Sequence, residues 1–364
     1  MKILWLNHRD PKHPQAGGAE VHIEEVGSRL VKMGHRVTLI CEKPRGYKSR
    51  DTIEGMDVLR VGNRYQIHLL APAFVNRMAD EYDVVVDDIA HAVPWFSSWV
   101  SNRPVVGIVH HVHQSVLPLE LRPPLSVLTM LAEKSIRFAY SSIITASYST
   151  SRDLQEQLGV AANRIGIVHY GVDHAIYKPG DGKFYEPTVL WLGRIKKYKN
   201  LDHLVRAFGM IEAKVPDARL MIAGSGDYEP YAIGLAKSLG LRNVSFLGRV
   251  SPQEKLELLK RSWAIAYTSV MEGWGLGILE AAACGTPALG YDSGATKEAI
   301  IDNETGLLTT YGDIEGLANI MYRMLTESQL RERLTRGALS FASQFDWDRA
   351  ASQTLSILED SCKG

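Results

Sequence analysis

The chain has 364 residues, 45% hydrophobic and 23% charged, with Lys+Arg and Asp+Glu balanced at 41 each. That length predicts two or three domains, and the balance excludes a global field drawing the chain to nucleic acid or anionic lipid. Cys41, Cys284 and Cys362 lie far apart and form no C-x-x-C pair, and no apolar run is long enough to span a bilayer. A sparse, odd cysteine count suits a reducing cytosol. The start, Met1-Lys2-Ile3-Leu4-Trp5-Leu6-Asn7, turns polar too soon for a signal peptide, so a cytoplasmic location is expected.

Short apolar runs alternate with helical patterns. Ile3–Leu6 reads as a buried strand, Ala19–Met33 as a helix stopped by Gly34, and Arg36–Cys41 as the next strand. That β-α-β unit implies a parallel sheet. Further strands are expected at Val84–Asp87, Val105–His110, Ile143–Ala146 and Ile165–His169. From His174 to Pro187 the chain is polar, with Pro179, Gly180, Gly182 and Pro187, and reads as a linker. The alternation restarts with strands at Val189–Leu192, Leu220–Ala223, Val244–Leu247, Ala264–Thr268, Ala288–Tyr291 and Leu307–Thr309. Ser251-Pro252-Gln253-Glu254 combines a capping box with proline at the first helical position. Glu315–Phe341 and Trp347–Leu358 read as closing helices. Two successive parallel sheets imply two Rossmann-like domains that bind ligands at strand carboxyl ends.

The chemistry concentrates in Glu272-Gly273-Trp274-Gly275-Leu276-Gly277-Ile278-Leu279-Glu280. Two carboxylates stand either side of a glycine-rich turn that opens a helix, and free N–H groups at a helix start suit a phosphate. Such a segment seats a diphosphate with hydroxyl-bearing groups on both sides, the layout of a nucleotide sugar. Gly193-Arg194, with Lys196, Lys197 and Lys199, follows the first strand of the second half, where Arg194 and Lys199 are able to converge on a diphosphate. Ala223-Gly224-Ser225-Gly226 and Phe246-Leu247-Gly248-Arg249-Val250 close two more strands, and either presents backbone to a base or ribose or is simply a tight turn. Gly17-Gly18-Ala19-Glu20 opens the first helix without the full G-x-G-x-x-G fingerprint, so alone it reads as a flexible turn. His110-His111-Val112-His113 has no carboxylate or cysteine beside it in sequence, which favours hydrogen-bonded histidines over a metal site.

Taken together, these motifs resemble the retaining nucleotide-sugar glycosyltransferases of glycosyltransferase family 4. The resemblance spans nearly the whole chain, through Gly17–Glu20, His110, Tyr170-Gly171-Val172-Asp173 with Tyr177-Lys178-Pro179, Gly193-Arg194 with Lys199-Asn200-Leu201, Phe246–Gly248 and Glu272–Glu280. It implies the α/β GT-B fold, two Rossmann-like domains facing a central cleft: an acceptor domain over 1–175, a donor domain over 176–345, and a final helix over 346–364 that crosses back onto the first. Arg194 and Lys199 would neutralise the donor diphosphate, and Glu272 and His110 would meet the transferred sugar. Glu280 would bind ribose, Val250 would lie near the base, and Gly17, Gly18, Gly193, Gly224, Gly275, Leu276 and Gly277 would line the donor with backbone. No metal and no cofactor is expected beyond the donor, of UDP or GDP type. Tyr170 stands where the family usually has Asn, and Asn200 where Gly is common.

The expected reaction moves a hexose, with retention, to a hydroxyl of a glycan, a lipid-linked or a small-molecule acceptor. Rival readings are a sugar-nucleotide epimerase of the same fold and a non-catalytic binding module. Leu125–Tyr140 is rich in apolar residues beside Lys134 and Arg137, and Pro94-Trp95-Phe96 and Trp99 add aromatics. Such stretches either touch a membrane, making the protein peripheral on its inner face, or face the domain core, the expectation preferred here.

Overall fold

The computed structural model describes residues 1–363. The chain forms two compact units, Met1–Tyr170 with Trp347–Gly364, and Gly171–Asp346.

The first unit is built on β1 (Lys2–Leu6), β2 (Arg36–Cys41), β3 (Arg50–Ile53), β4 (Met56–Arg60), β5 (Val84–Ile89), β6 (Val105–Val109), β7 (Ser142–Thr145) and β8 (Ile165–Ile167). They lie in the order β3-β4-β2-β1-β5-β6-β7-β8, parallel except for the β3–β4 hairpin. Ile3, Leu4, Trp5 and Leu6 are all buried, as a parallel strand covered on both faces requires. From β1 the chain works outward to β2 and β4, then returns to β5 on the other side of β1. The gap between β1 and β5 is therefore this sheet's topological switch point.

The sequence reading misses the β3–β4 hairpin. Its turn is Glu54-Gly55, with φ of 47° and 82°. Both central residues are left-handed, as a two-residue primed turn demands, but Glu-Gly lacks the usual Asn-Gly or Asp-Gly signal, and β3 is mostly polar.

Helix Gly18–Lys32 packs on β2 and β4 and buries His22, Ile23, Val26 and Leu30. The final helix, Trp347–Ser361, packs on it and on β6 and β7. Arg29 Nε donates to Asp348 Oδ1 at 2.6 Å, and Trp347 stacks on Tyr170 with centroids 5.8 Å apart.

Helix Leu125–Lys134 reverses the expectation that its apolar residues face the core. Ser126 and Glu133 are buried, whereas Leu125, Val127, Leu128 and Leu131 are exposed. The polar side turns inward because Glu133 has partners there: it accepts from the His113 amide at 2.6 Å and from Gln114 Nε2 at 2.8 Å.

The second unit carries β9 (Thr188–Leu192), β10 (Arg219–Ala223), β11 (Val244–Gly248), β12 (Ala264–Tyr267), β13 (Ala288–Tyr291) and β14 (Gly306–Thr309). All are parallel, in the order β11-β10-β9-β12-β13-β14, so its switch point falls between β9 and β12. The stretch 174–187 lies within this unit and is pinned to it. The Phe184 amide donates to Arg261 O at 2.8 Å, and Lys183 Nζ reaches Thr286 Oγ1 at 2.6 Å. The single helix expected over Glu315–Phe341 is two, Ile314–Thr326 and Ser328–Ala342. Glu327 between them is extended, which re-aims the buried stripe from Leu317, Met321 and Met324 to Leu330, Leu334 and Ala338.

Candidate active site

The carboxyl ends of β9 and β12 flank the switch point of the second unit. Arg194 follows β9 through Gly193, and Lys199 ends the 3-10 turn Lys197–Lys199. Glu272 lies in the loop after β12. Lys199 Nζ meets Glu272 Oε1 at 2.5 Å, and Ser269 Oγ donates to the same oxygen at 2.6 Å. Burial disfavours the Lys199 charge, but the Glu272 carboxylate outweighs it and the lysine pKa is raised. The ammonium is thus present before any ligand arrives. Arg194 is exposed at the same strand end, and its guanidinium makes no hydrogen bond or ion pair among the described residues.

Asn200 holds a left-handed backbone. Its φ is 48° and ψ 42°, the left-handed region that asparagine tolerates best among side-chain-bearing residues. Its Nδ2 donates to Thr268 O at 3.0 Å, tying the lysine turn to the end of β12.

The glycines of three strand ends form one backbone layer. Gly193 N donates to Ala223 O at 3.0 Å, and Gly224 N to Gly248 O at 2.7 Å. A Cβ on Gly224 would lie 1.8 Å from the Gly193 carbonyl oxygen, so no other residue fits there. Val250 is half-buried just beyond, before the Ser251 cap. That cap has the expected geometry, with Ser251 Oγ accepting from the Glu254 amide.

Gly275 is left-handed at φ 81° and caps helix Leu276–Ala283. The first amide to find an intrahelical partner is Ile278 N, to Gly275 O at 2.7 Å, so the Leu276 and Gly277 amides lie ahead of the ladder. Gly277 abuts Tyr267, whose hydroxyl would be 2.1 Å from an added Cβ. Glu280, one turn inside, is buried and paired with Lys255 Nζ at 2.6 Å. Sequence reasoning missed Lys255. It sits on helix Pro252–Arg261, 25 residues from its partner, and no local pattern announces that pairing.

In the first unit, Gly17 caps helix Gly18–Lys32. Its amide is already committed, donating to Glu20 Oε2 at 2.6 Å, which leaves Gly18 as the helix-start amide for a ligand. His110 is buried after β6. Its Nε2 meets Asp88 Oδ1 at 2.6 Å and its Nδ1 meets the Tyr170 hydroxyl. Burial opposes protonation, but the Asp88 carboxylate prevails and the imidazole pKa is raised.

The three neighbouring histidines do not converge: His113 turns to Glu133 at 3.0 Å, not to His110. The set with metal-ligand spacing is instead His22, Asp88 and His110, whose ligating atoms lie within 4.8 Å of one another. Asp88 and His110 are joined to each other, and Asp88 Oδ2 also accepts from Trp5 Nε1 at 3.2 Å. His22 is held neutral by burial and by its neighbour His110, its pKa lowered to about 3. Trp5, Asp88, His110 and Tyr170 thus form a buried hydrogen-bond network, against which the His22 ring packs through His110 and Tyr170.

Two Rossmann-like domains, with paired carboxylates and cations at the donor-type switch point, define the GT-B class of sugar transferases. The family model described as Glycosyltransferase Family 4 matches residues 16–176, and that described as Glycosyl transferases group 1 matches 181–340. A D-inositol 3-phosphate glycosyltransferase from Acidothermus cellulolyticus is 28% identical over 95% of this chain and 86% of its own. A glycogen synthase from Mycobacterium tuberculosis is 26% identical over 98% and 94%. In fold the chain is similar to sucrose-phosphate synthase from Thermosynechococcus elongatus, with TM-score 0.84, 20% identity and coverage of 99% and 98%. It is likewise similar to Anabaena HepE solved with UDP-glucose, with TM-score 0.80, 22% identity and coverage of 99% and 100%. The chain belongs to the family 4 glycosyltransferases of GT-B architecture.

Proposed function

We propose that the chain is a retaining, metal-independent hexosyltransferase that takes a nucleoside-diphosphate sugar of UDP or GDP type and transfers its hexose to an acceptor hydroxyl. The carrying observation is the Lys199–Glu272 pair at the β9–β12 switch point, with the unpaired Arg194 guanidinium beside it. The two cations neutralise the donor diphosphate, and the Leu276 and Gly277 amides add N–H donors at the helix start. Gly193 and Gly224 let backbone approach the ligand, Glu280 accepts from the ribose hydroxyls, and Val250 borders the base. The bond from the anomeric carbon to the β-phosphate oxygen breaks with its electron pair leaving on the phosphate. The acceptor oxygen attacks the same face, and its proton passes to the departing phosphate. Glu272 binds the transferred sugar. His110 stands beside the sugar, its Nε2 held by Asp88 and its Nδ1 by the Tyr170 hydroxyl. The UDP-glucose complex of HepE makes UDP the first donor to try.

The test is a thermal-shift panel of UDP, GDP, ADP and their sugar conjugates, with and without chelator, followed by NMR assignment of the product's anomeric configuration. Stabilisation by one nucleotide family, unchanged by chelator, and a product of the donor's configuration are expected. Inversion, or loss of the shift with chelator, overturns the mechanism.

Peripheral membrane contact belongs to the same reading. The exposed face of Leu125, Val127, Leu128 and Leu131 is flanked by exposed Arg122, Lys134 and Arg137. Apolar insertion rimmed by cations fits an anionic bilayer. Sedimentation with anionic vesicles at low salt is expected, and its absence removes the membrane from the account.

A further inference from the structure

The switch point of the first unit holds a cluster that the donor chemistry does not use. His8 follows β1, His91 follows β5, and His68 is the second residue of helix Ile67–Met78, which comes after β4. All three therefore stand at carboxyl ends of parallel strands, two of them across the β1–β5 gap itself. His8 Nε2 and His68 Nε2 are 2.9 Å apart. The His8 and His91 rings meet edge-on with centroids 4.4 Å apart, and His68 stacks on buried Trp95 at 4.5 Å. The three elements are thus locked together by their imidazoles over one indole.

The surroundings are cationic. Arg9 and Arg64 lie close enough to repel a charge on His8. Arg64 is exposed, its guanidinium 5.0 Å over the Tyr65 ring. Arg9 has a buried Nε with no hydrogen-bond partner. The carboxylates that face these cations are Glu42, 3.6 Å from Arg9 Nε and 3.4 Å from His13, and Glu20, which feels the Arg9 charge. None of the groups acting on His8 is acidic: burial comes first, and His91, His68, Arg9 and Arg64 all oppose a charge on it. In a chain of zero formal net charge, a switch point that gathers two guanidiniums and three imidazoles is matched to an anion.

We propose that this cluster binds a phosphate group carried by the acceptor, with Arg9 and Arg64 supplying charge and His8, His68 and His91 supplying directed N–H donors. The assignment rests on the transferase reading and names its acceptor class. Entry of a phosphate replaces the His8–His68 contact with one N–H donation from each ring to a different phosphate oxygen. Donors from three elements suit a tetrahedral anion better than a planar carboxylate. The bound charge also removes the repulsion that keeps His8 neutral.

The test uses the whole chain at neutral pH. Imidazole NMR signals of His8, His68 and His91, assigned from single His→Gln variants, are followed while inorganic phosphate is added. Saturating shifts of all three are expected, and Arg64→Ala, an exposed position, is expected to weaken the apparent Kd roughly tenfold through loss of a charge-assisted contact. Unmoved signals, equal shifts with acetate or neutral glucose, or an unchanged Kd in Arg64→Ala each overturn the proposal. Glucose 6-phosphate and phosphatidic acid vesicles then separate sources. Response to the first supports a soluble acceptor, response to the second a lipid headgroup, and response to neither overturns the acceptor assignment. Nucleotide-induced thermal stabilisation is read on the same samples. Its persistence when phosphate fails shows that the acceptor proposal alone has fallen.

Discussion

The two switch points of this molecule solve opposite electrostatic problems. At β9–β12 each buried charge meets its counter-charge before any ligand binds: Lys199 with Glu272, and Lys255 with Glu280. At β1–β5 burial and the neighbouring His91, His68, Arg9 and Arg64 all oppose a charge on His8. A pre-paired site stores its cations at low cost and releases them when a diphosphate competes for the lysine. The other site keeps its proton affinity in reserve until an anion arrives. The first arrangement suits a ligand common to a family; the second suits a particular partner.

The sharpest way to break this contrast is to remove the donor cations. Arg194→Ala or Lys199→Ala is expected to lower kcat by about 10²–10³-fold, the usual effect of losing one preorganised contact to transition-state charge. Unchanged turnover in both would place the leaving group elsewhere. Next in size is Gly224→Ala. With a Cβ 1.8 Å from Gly193 O, the backbone layer must shift, and urea denaturation should register a loss of about 3 kcal/mol. An unaltered midpoint would mean that the layer is plastic.

Smaller again is Glu280→Gln, expected to weaken nucleotide binding about tenfold, or 1.4 kcal/mol. Lys255→Ala should act in the same direction, with the double variant less than additive because the pair acts together. An effect confined to acceptor KM would contradict the ribose role. The smallest effect concerns His110. Its folded pKa is raised by Asp88 against burial. The stability from this pair is therefore complete below the unfolded value near 6.5 and is lost as pH rises through the higher folded value. Asp88→Asn should flatten that loss in thermal melts between pH 6 and 9, and a slope identical to the parent's would show that the pair does not titrate there.

Legibility followed the same divide. The second unit's site is written in contiguous segments, since Gly193-Arg194, Gly224 and Glu272–Glu280 each lie at one strand end, where local sequence sets local backbone. The left-handed Gly275 and the crowded Gly224 are positions where only glycine fits, so the pattern and its cause coincide. Lys255 escaped because its meaning lies in a partner on another helix. In the first unit the histidines come from positions 8, 68 and 91, joined only by sheet order, and the missed β3–β4 hairpin precedes the helix that delivers His68. The outward apolar face of Leu125–Lys134 was unreadable for another reason. Periodicity shows that a helix has two faces, but the buried side was chosen by partners of Glu133 at His113 and Gln114.

The closing helix has a consequence for how the chain comes into being. The first unit starts at Met1 yet needs Trp347 onward to cover Tyr170 and helix Gly18–Lys32. The ribosome must therefore add all of 171–346 before that unit has its last element, a delay of roughly 10–35 s at about 5–20 residues per second. The later-born second unit is contiguous and completes itself first. During translation the half made earlier is the half that waits, helix Gly18–Lys32 standing without its partner until Trp347–Ser361 has been made.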